Sequence, residues 1–171
     1  MSELTSCVPT TMTKSAFVDH FKDLYEHSAW VAERVFDLGI NQQHQQREVM
    51  HQAFSAVMLS ADATQQVALI NAHPDLAGKA AISGQLTAAS TAEQSGAGIQ
   101  QCNAEEFTEF TELNANYKAK FGFPFIKAVK GSNRYEILAA FRQRINNSHE
   151  REFNQALLEI NKIAGFRLAD M

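Results

Sequence analysis

The sequence predicts an all-α fold, a single compact helical domain of roughly eight helices. Three observations carry this. Apolar residues recur at helical spacing along nearly the whole chain, helix-start signals precede several of those stripes, and no segment sustains the alternation of a half-buried strand. The 171 residues lie within the range of one domain, and chains of about 150 residues already bury roughly 70% of the surface their unfolded state exposes. Residues 1–12 read as a flexible N-terminal tail and 13–171 as the helical domain.

Taken in order, Phe17, Phe21, Leu24 and Tyr25 fall at i, i+4, i+7 and i+8, one face of a helix. Val49, Met50, Ala53, Phe54 and Val57 make a similar stripe. Asp62-x-x-Gln65 has the spacing of a capping box and opens the helix that runs through Val67 to Ala72. From His73 to about Ala89 no helix is expected, because Pro74 breaks the preceding one and Gly78 and Gly84 loosen the chain beyond it. Asn103-x-x-Glu106 then opens the stripe Phe107, Phe110, Leu113 and Tyr117, which Gly122-Phe123-Pro124-Phe125 interrupts. Ile137, Leu138, Phe141 and Ile145 form the next stripe. Asn147-x-x-Glu150 opens a long final helix with Phe153, Ala156, Leu157, Ile160, Ile163 and Ala164 on one face. Binding residues concentrate on irregular segments held by a rigid scaffold, which directs attention to the two interruptions.

Composition removes several classes of function. With 45% hydrophobic and 20% charged residues the chain is of ordinary globular type. No apolar stretch approaches the ~20 residues that cross a bilayer, so no membrane association is expected. Met1 to Thr11 lacks a basic region followed by an apolar one, and Leu168-Ala169-Asp170-Met171 is not a peroxisomal address, so a cytoplasmic location is the plain reading. Cys7 and Cys102 form no Cys-x-x-Cys pair, which fits a reducing compartment without disulfides. The net charge of −4 and the scattered lysines and arginines argue against nucleic acid as a partner. Nucleotide and zinc-protease motifs are missing; the nearest approach, Gly96-Ala97-Gly98, has only two glycines. Of the six histidines, His20, His27, His44, His51, His73 and His149, none pairs at i, i+4 around a carboxylate, so no metal is expected.

His73 differs from the other five. It ends an apolar helix and precedes Pro74-Asp75, where a helix stops and a loop opens. Such a histidine can serve as a cationic C-cap or as a proton-transfer group, and position alone leaves both open. Ser90-Thr91-Ala92-Glu93-Gln94 likewise contains a capping box, with Ser90 as the cap. Arg167 in the final helix suits a surface arginine lying along its own stem, and Phe123 suits the core.

Taken together these segments resemble the 2-oxo-4-hydroxy-4-carboxy-5-ureidoimidazoline (OHCU) decarboxylase family. The matching runs are Ser28-Ala29-Trp30-Val31-Ala32-Glu33-Arg34, His73-Pro74-Asp75-Leu76-Ala77-Gly78-Lys79, Ser90 to Gln94 leading into Ala97-Gly98, and Leu113-Asn114 followed by Tyr117. Lys120 to Phe125 continues the match, and Glu159-Ile160 through Arg167-Leu168 closes it. The likeness covers nearly everything after about residue 14, in order and with the family's spacings.

The resemblance implies an all-helical fold, commonly a homodimer, and a cofactor-free, stereospecific decarboxylation in urate breakdown that yields (S)-allantoin. It implies His73 as the active-site histidine and Glu93 as its acidic partner. Pro74, Ser90, Gln94, Phe123 and Arg167 match substrate-contacting positions. The backbone of Phe125, Ile126, Lys127, Ala128 and Val129 matches a segment that hydrogen-bonds the substrate ring. Two other readings stand beside this one: a helical interaction module in which the same polar residues are caps and surface contacts, and a related enzyme acting on another ureido or imidazoline compound.

Overall fold

The computed structural model describes residues 2–78 and 85–171. Among the described residues there are eight α-helices and no strand, the one β-bridge being an isolated pairing of Glu3 with Gln46. The helices are α1 (Lys14–Phe21), α2 (Trp30–Asp37), α3 (Arg47–Leu59), α4 (Ala63–Ala72), α5 (Ala88–Gly96), α6 (Ala104–Phe121), α7 (Arg134–Arg144) and α8 (His149–Ala169). They fall into two compact units, Met1–Leu69 with Asn161–Met171, and Ile70–Ile160. Lys79 and Gly84, part of the segment expected to be irregular, lie outside the described residues.

In the first unit the stripe of α1 and the turn after it is buried as expected, and Phe17, Phe21 and Tyr25 all pack on Phe54 of α3. Thr13 starts α1 by accepting the Ala16 N–H at 3.2 Å, and Asp62 starts α4 by accepting that of Gln65 at 2.8 Å. Tyr25 donates its phenol to Asn161 Oδ1 of α8 at 2.8 Å, joining two stretches distant in sequence. The first residues, expected to form a free tail, instead run beside residues 45–47. Leu4 N–H donates to Gln45 O and Arg47 N–H to Ser2 O, both at 2.8 Å, and Leu4 and Pro9 are buried. Burial of those two apolar side chains is the physical reason the segment is held.

The second unit has an aromatic centre. Tyr117 and Phe121 of α6, Phe123 and Phe125 of the following segment, and Phe141 of α7 contact one another, with Phe125 stacked on Phe141 at 3.9 Å between ring centres. Asn103 and Glu106 form the expected capping box of α6. That helix ends at Gly122, whose φ of +78° is the left-handed conformation glycine adopts without steric cost. A second box, Asn133 with Glu136, opens α7 and is an addition to those read from the sequence. The last helix begins one residue later than expected. Ser148 accepts the Arg151 N–H at 3.2 Å, while Asn147 donates its amide to Glu152 at 3.1 Å.

The buried row of α6 also departs from expectation, being Phe110, Asn114, Tyr117 and Phe121, with Phe107 and Leu113 only half-buried. An asparagine holds a core position because its amide has a buried partner, the carbonyl of Leu76.

Candidate active site

His73 closes α4. Its backbone N–H donates to Ile70 O at 3.2 Å, and the residue is buried, 8% exposed. Burial this deep separates it from a solvated surface cap. Pro74 then carries the chain out of the helix into a turn through Gly78, where Ala77 has a φ of +53°. A non-glycine residue in that region costs about 1–2 kcal/mol, so the surroundings must hold it there.

Three side chains do so. Asn114 donates Nδ2 to Leu76 O at 2.8 Å, a buried bond. Gln94 accepts the Ala77 N–H at 3.1 Å and donates Nε2 to Asp75 O at 3.4 Å. Lys118 pairs with the Asp75 carboxylate at 2.7 Å. The turn after the histidine is therefore tied to α5 and α6. Asn114→Ala leaves the buried Leu76 carbonyl without its donor, and an unmet buried group costs about 1–3 kcal/mol. The expected result in urea unfolding is a stability lowered by that amount at unchanged slope, and an unchanged midpoint would refute the role.

Gln94 brings the helix of the other candidates to this turn. Thr87, not Ser90, caps α5, accepting the Ser90 N–H at 3.2 Å. Ser90 is the third residue of the helix and buried, Glu93 is half-buried one turn on, and Gln94 is 4% exposed. Both ends of the Gln94 amide serve the loop backbone, a use that the sequence did not reveal. A cleft of about 540 Å³ opens beside the turn and is lined by Pro74, Asp75, Asn114 and Lys118 among others. Of the expected substrate contacts it includes Pro74 alone.

Phe123 is 3% exposed, with its ring against those of Tyr117, Phe121, His149 and Phe153. Phe125, Ile126, Ala128 and Val129 are buried and Lys127 is half-buried. Helical periodicity gave no sign of two acids on α8 that serve this region. Glu152 is fully buried and accepts from Tyr117 Oη at 2.7 Å and from Arg144 Nε at 2.9 Å. Burial first, and then the adjacent Glu152 carboxylate, push the Tyr117 phenol well above its ordinary pKa, so it stays a neutral donor. Glu159, also buried, accepts the Ala128 N–H at 2.8 Å.

Arg167 lies in the first unit. Its side chain is 10% exposed, unlike that of a surface arginine, and donates Nη2 to Glu26 Oε2 at 3.0 Å and Nη1 to Asp23 O at 2.9 Å. Glu26, another buried acid, had no signal in the apolar pattern. Among the described residues no three His, Cys, Asp or Glu side chains gather as a metal's ligands would, and no helix is long and apolar enough to cross a membrane.

An all-α chain with a buried histidine at a helix end and a half-buried, acid-paired arginine has counterparts among known proteins. A crystal structure of (S)-allantoin synthase superposes with a TM-score of 0.72 at 28% identity, covering 95% of this chain and 52% of the other. One of an OHCU decarboxylase in the presence of (S)-allantoin gives 0.71 at 25% identity, covering 89% and 96%. The 2-oxo-4-hydroxy-4-carboxy-5-ureidoimidazoline decarboxylase of Haloferax volcanii is 36% identical over 170 residues, 99% of this chain and 97% of its own. A bifunctional uric acid degradation protein of Bacillus subtilis is 38% identical over 160 residues, covering 94% of this chain and 31% of that protein. The OHCU decarboxylase family model matches residues 10–169. The chain belongs to the OHCU decarboxylase family.

Proposed function

We propose that this protein decarboxylates OHCU to (S)-allantoin in urate degradation, without a cofactor, as a cytoplasmic homodimer. The observation that carries the reading is the double hydrogen bond of Gln94 to the turn after His73, which ties the histidine's loop to the helix bearing Ser90 and Glu93. It supports a built site better than a set of unrelated caps.

In the reaction the bond between the ring carbon and the carboxylate breaks and carbon dioxide leaves. The electron pair passes into the neighbouring imine of the imidazoline, whose nitrogen takes up a proton, leaving an enol. The hydroxyl-bearing carbon becomes the ring carbonyl as its O–H proton is lost, and a proton delivered to the adjacent ureido-bearing carbon completes allantoin. The substrate supplies its own electron sink, so the protein has to bind the anion, shield it and deliver the proton to one face. His73 handles the proton, since imidazole has an unperturbed pKa near 6.5 and suits acid–base work at neutral pH. Glu93 hydrogen-bonds the substrate and orients the pair. Ser90, near the start of α5, and the N–H groups of that helix end favour an anion. Phe123 and Pro74 exclude water, and the backbone from Phe125 to Val129 reads the ring amides. Gln94 contributes by holding the loop as well as through any amide it offers the substrate.

Arg167 binds a substrate oxygen, with its guanidinium already oriented by Glu26. Arg167→Lys keeps the charge near Glu26 and loses the planar fork. Hydrogen bonds to charged groups contribute about 1.5–3 kcal/mol, so KM for OHCU is expected to rise roughly tenfold to a hundredfold. Steady-state kinetics test it, and a KM equal to wild type removes Arg167 from the site.

The proposed activity is tested by making OHCU from urate with urate oxidase and the upstream hydrolase, adding this protein and following circular dichroism. Rapid appearance of one allantoin enantiomer is expected. Slow racemic allantoin, as without enzyme, would leave the family's fold without its activity.

A further inference from the structure

We propose that Glu159 and Arg144 are positioning residues for the OHCU reaction, fixing the backbone of residues 125–129 through the two groups they hold, the Ala128 amide and the Ile126 carbonyl. The inference rests on the proposed function, in which this run contacts the substrate ring.

The run lies between Gly122 and α7, and among the described residues it belongs to no helix or strand. No ladder of backbone bonds therefore sets its shape, and side chains must. Phe125 anchors one end by stacking on Phe141, and the Arg144 guanidinium lies over the Phe125 ring, 4.3 Å from its centre. Arg144 Nη1 donates to Ile126 O at 2.7 Å. Two residues on, Ala128 N–H donates to Glu159 Oε2 at 2.8 Å, and the second oxygen of that carboxylate accepts from Gln155 Nε2 at 2.9 Å. Farther along, Ser132 N–H donates to Val129 O at 2.9 Å. Arg144 is itself fixed by Glu152, which also receives Tyr117 and Asn147.

Both clamps use an ionised side chain on a neutral backbone group, the stronger kind of hydrogen bond; the Ala128 bond is buried and the Ile126 bond part-buried. Such strength exceeds what a connecting loop needs and suits a segment whose amides must meet a ligand to within a fraction of an ångström.

The experiment compares Glu159→Met, Glu159→Gln and Arg144→Lys for kcat, KM, product handedness and thermal midpoint. Glu159→Met strands the Ala128 amide and shifts the backbone groups that meet the substrate ring. Loss of such a hydrogen bond is about tenfold in affinity, so a KM rise of about tenfold is expected with kcat changed much less. Glu159→Gln keeps an oxygen that can accept from Ala128 and is expected to restore KM to within about threefold of wild type. Arg144→Lys retains the charge beside Glu152 but cannot span both partners, and it is expected to raise KM like Glu159→Met; it carries the test if that variant does not fold. A wild-type KM in the folded variants, with kcat lowered only in proportion to folded protein, would overturn the proposal. A wild-type chain with no activity on OHCU would overturn it together with the proposed function, an outcome distinct from the first.

Discussion

Replacing His73 with asparagine is expected to lower kcat/KM for OHCU by roughly 10²- to 10⁴-fold, the usual contribution of a positioned acid–base group. The side chain is buried at the end of α4, and asparagine keeps polar atoms there and tolerates a helix terminus. The thermal midpoint should therefore move by only a few degrees. Two further readouts belong to the same variant. Residual allantoin should approach the racemic product of the uncatalysed reaction, and the pH dependence of kcat/KM near neutrality should flatten. A variant within threefold of wild type would remove the histidine from the chemistry and return it to a structural role. Glu93→Gln separates the two partners, since loss in that variant with an intact pH profile would assign Glu93 to orientation and leave proton transfer with His73.

How much of the fold was legible in the sequence depends on what periodicity measures. Apolar spacing located six of the eight described helices because one face of each is buried, and Phe17, Phe21, Phe54, Phe110 and Phe141 are all in the core; it gave no stripe for α2 or α5. Local rules worked where the partners are three residues apart, as at Asn103 with Glu106, and where glycine alone suits the backbone, as at Gly122. They failed at Asn147, because a neighbouring serine took the cap while the asparagine served Glu152. Buried polar residues were invisible for a related reason. Glu152 meets Tyr117 across 35 positions, Glu159 meets Ala128 across 31, and Asn114 meets Leu76 across 38. No pattern confined to one helix reports a partner so distant, and each of these side chains scores as solvent-facing until the fold is known. Family likeness pointed to the site residues, yet it said nothing of what holds them. That Gln94 serves the loop backbone is a fact of geometry alone.

Glu152→Leu is expected to be the most damaging single change to stability, at up to about 3–5 kcal/mol, because removing the fully buried acid of this ion pair leaves the part-buried Arg144 charge uncompensated. Arg144 would keep its bond to Ile126 O, but its side chain is only 12% exposed, and its Nη2 is already buried without a hydrogen-bond partner among the described residues. Tyr117 and Asn147 would lose their acceptor at the same time. Against a total of about 5–15 kcal/mol for a typical domain, the loss brings the chain close to unfolding. At roughly 2–4 °C per kcal/mol for a chain of this size, the thermal midpoint falls by about 6–20 °C. The double variant Arg144→Met with Glu152→Leu tests the cause. Replacing a buried pair by apolar groups is often nearly neutral, so the double variant should recover part of the loss, short of wild type because Tyr117 and the Ile126 carbonyl remain unmet. Equal stability of Glu152→Leu and wild type, or a double variant less stable than either single one, would show that the charge pair is not what the network depends on. The network also has an alkaline signature of fixed sign. The Tyr117 phenol is raised in the folded state, chiefly by burial, so its contribution is whole below the unfolded value near pH 10 and is lost as pH climbs from there through the folded value. Tyr117→Phe should flatten that alkaline decline in a denaturation series, and an unchanged slope would place its origin elsewhere.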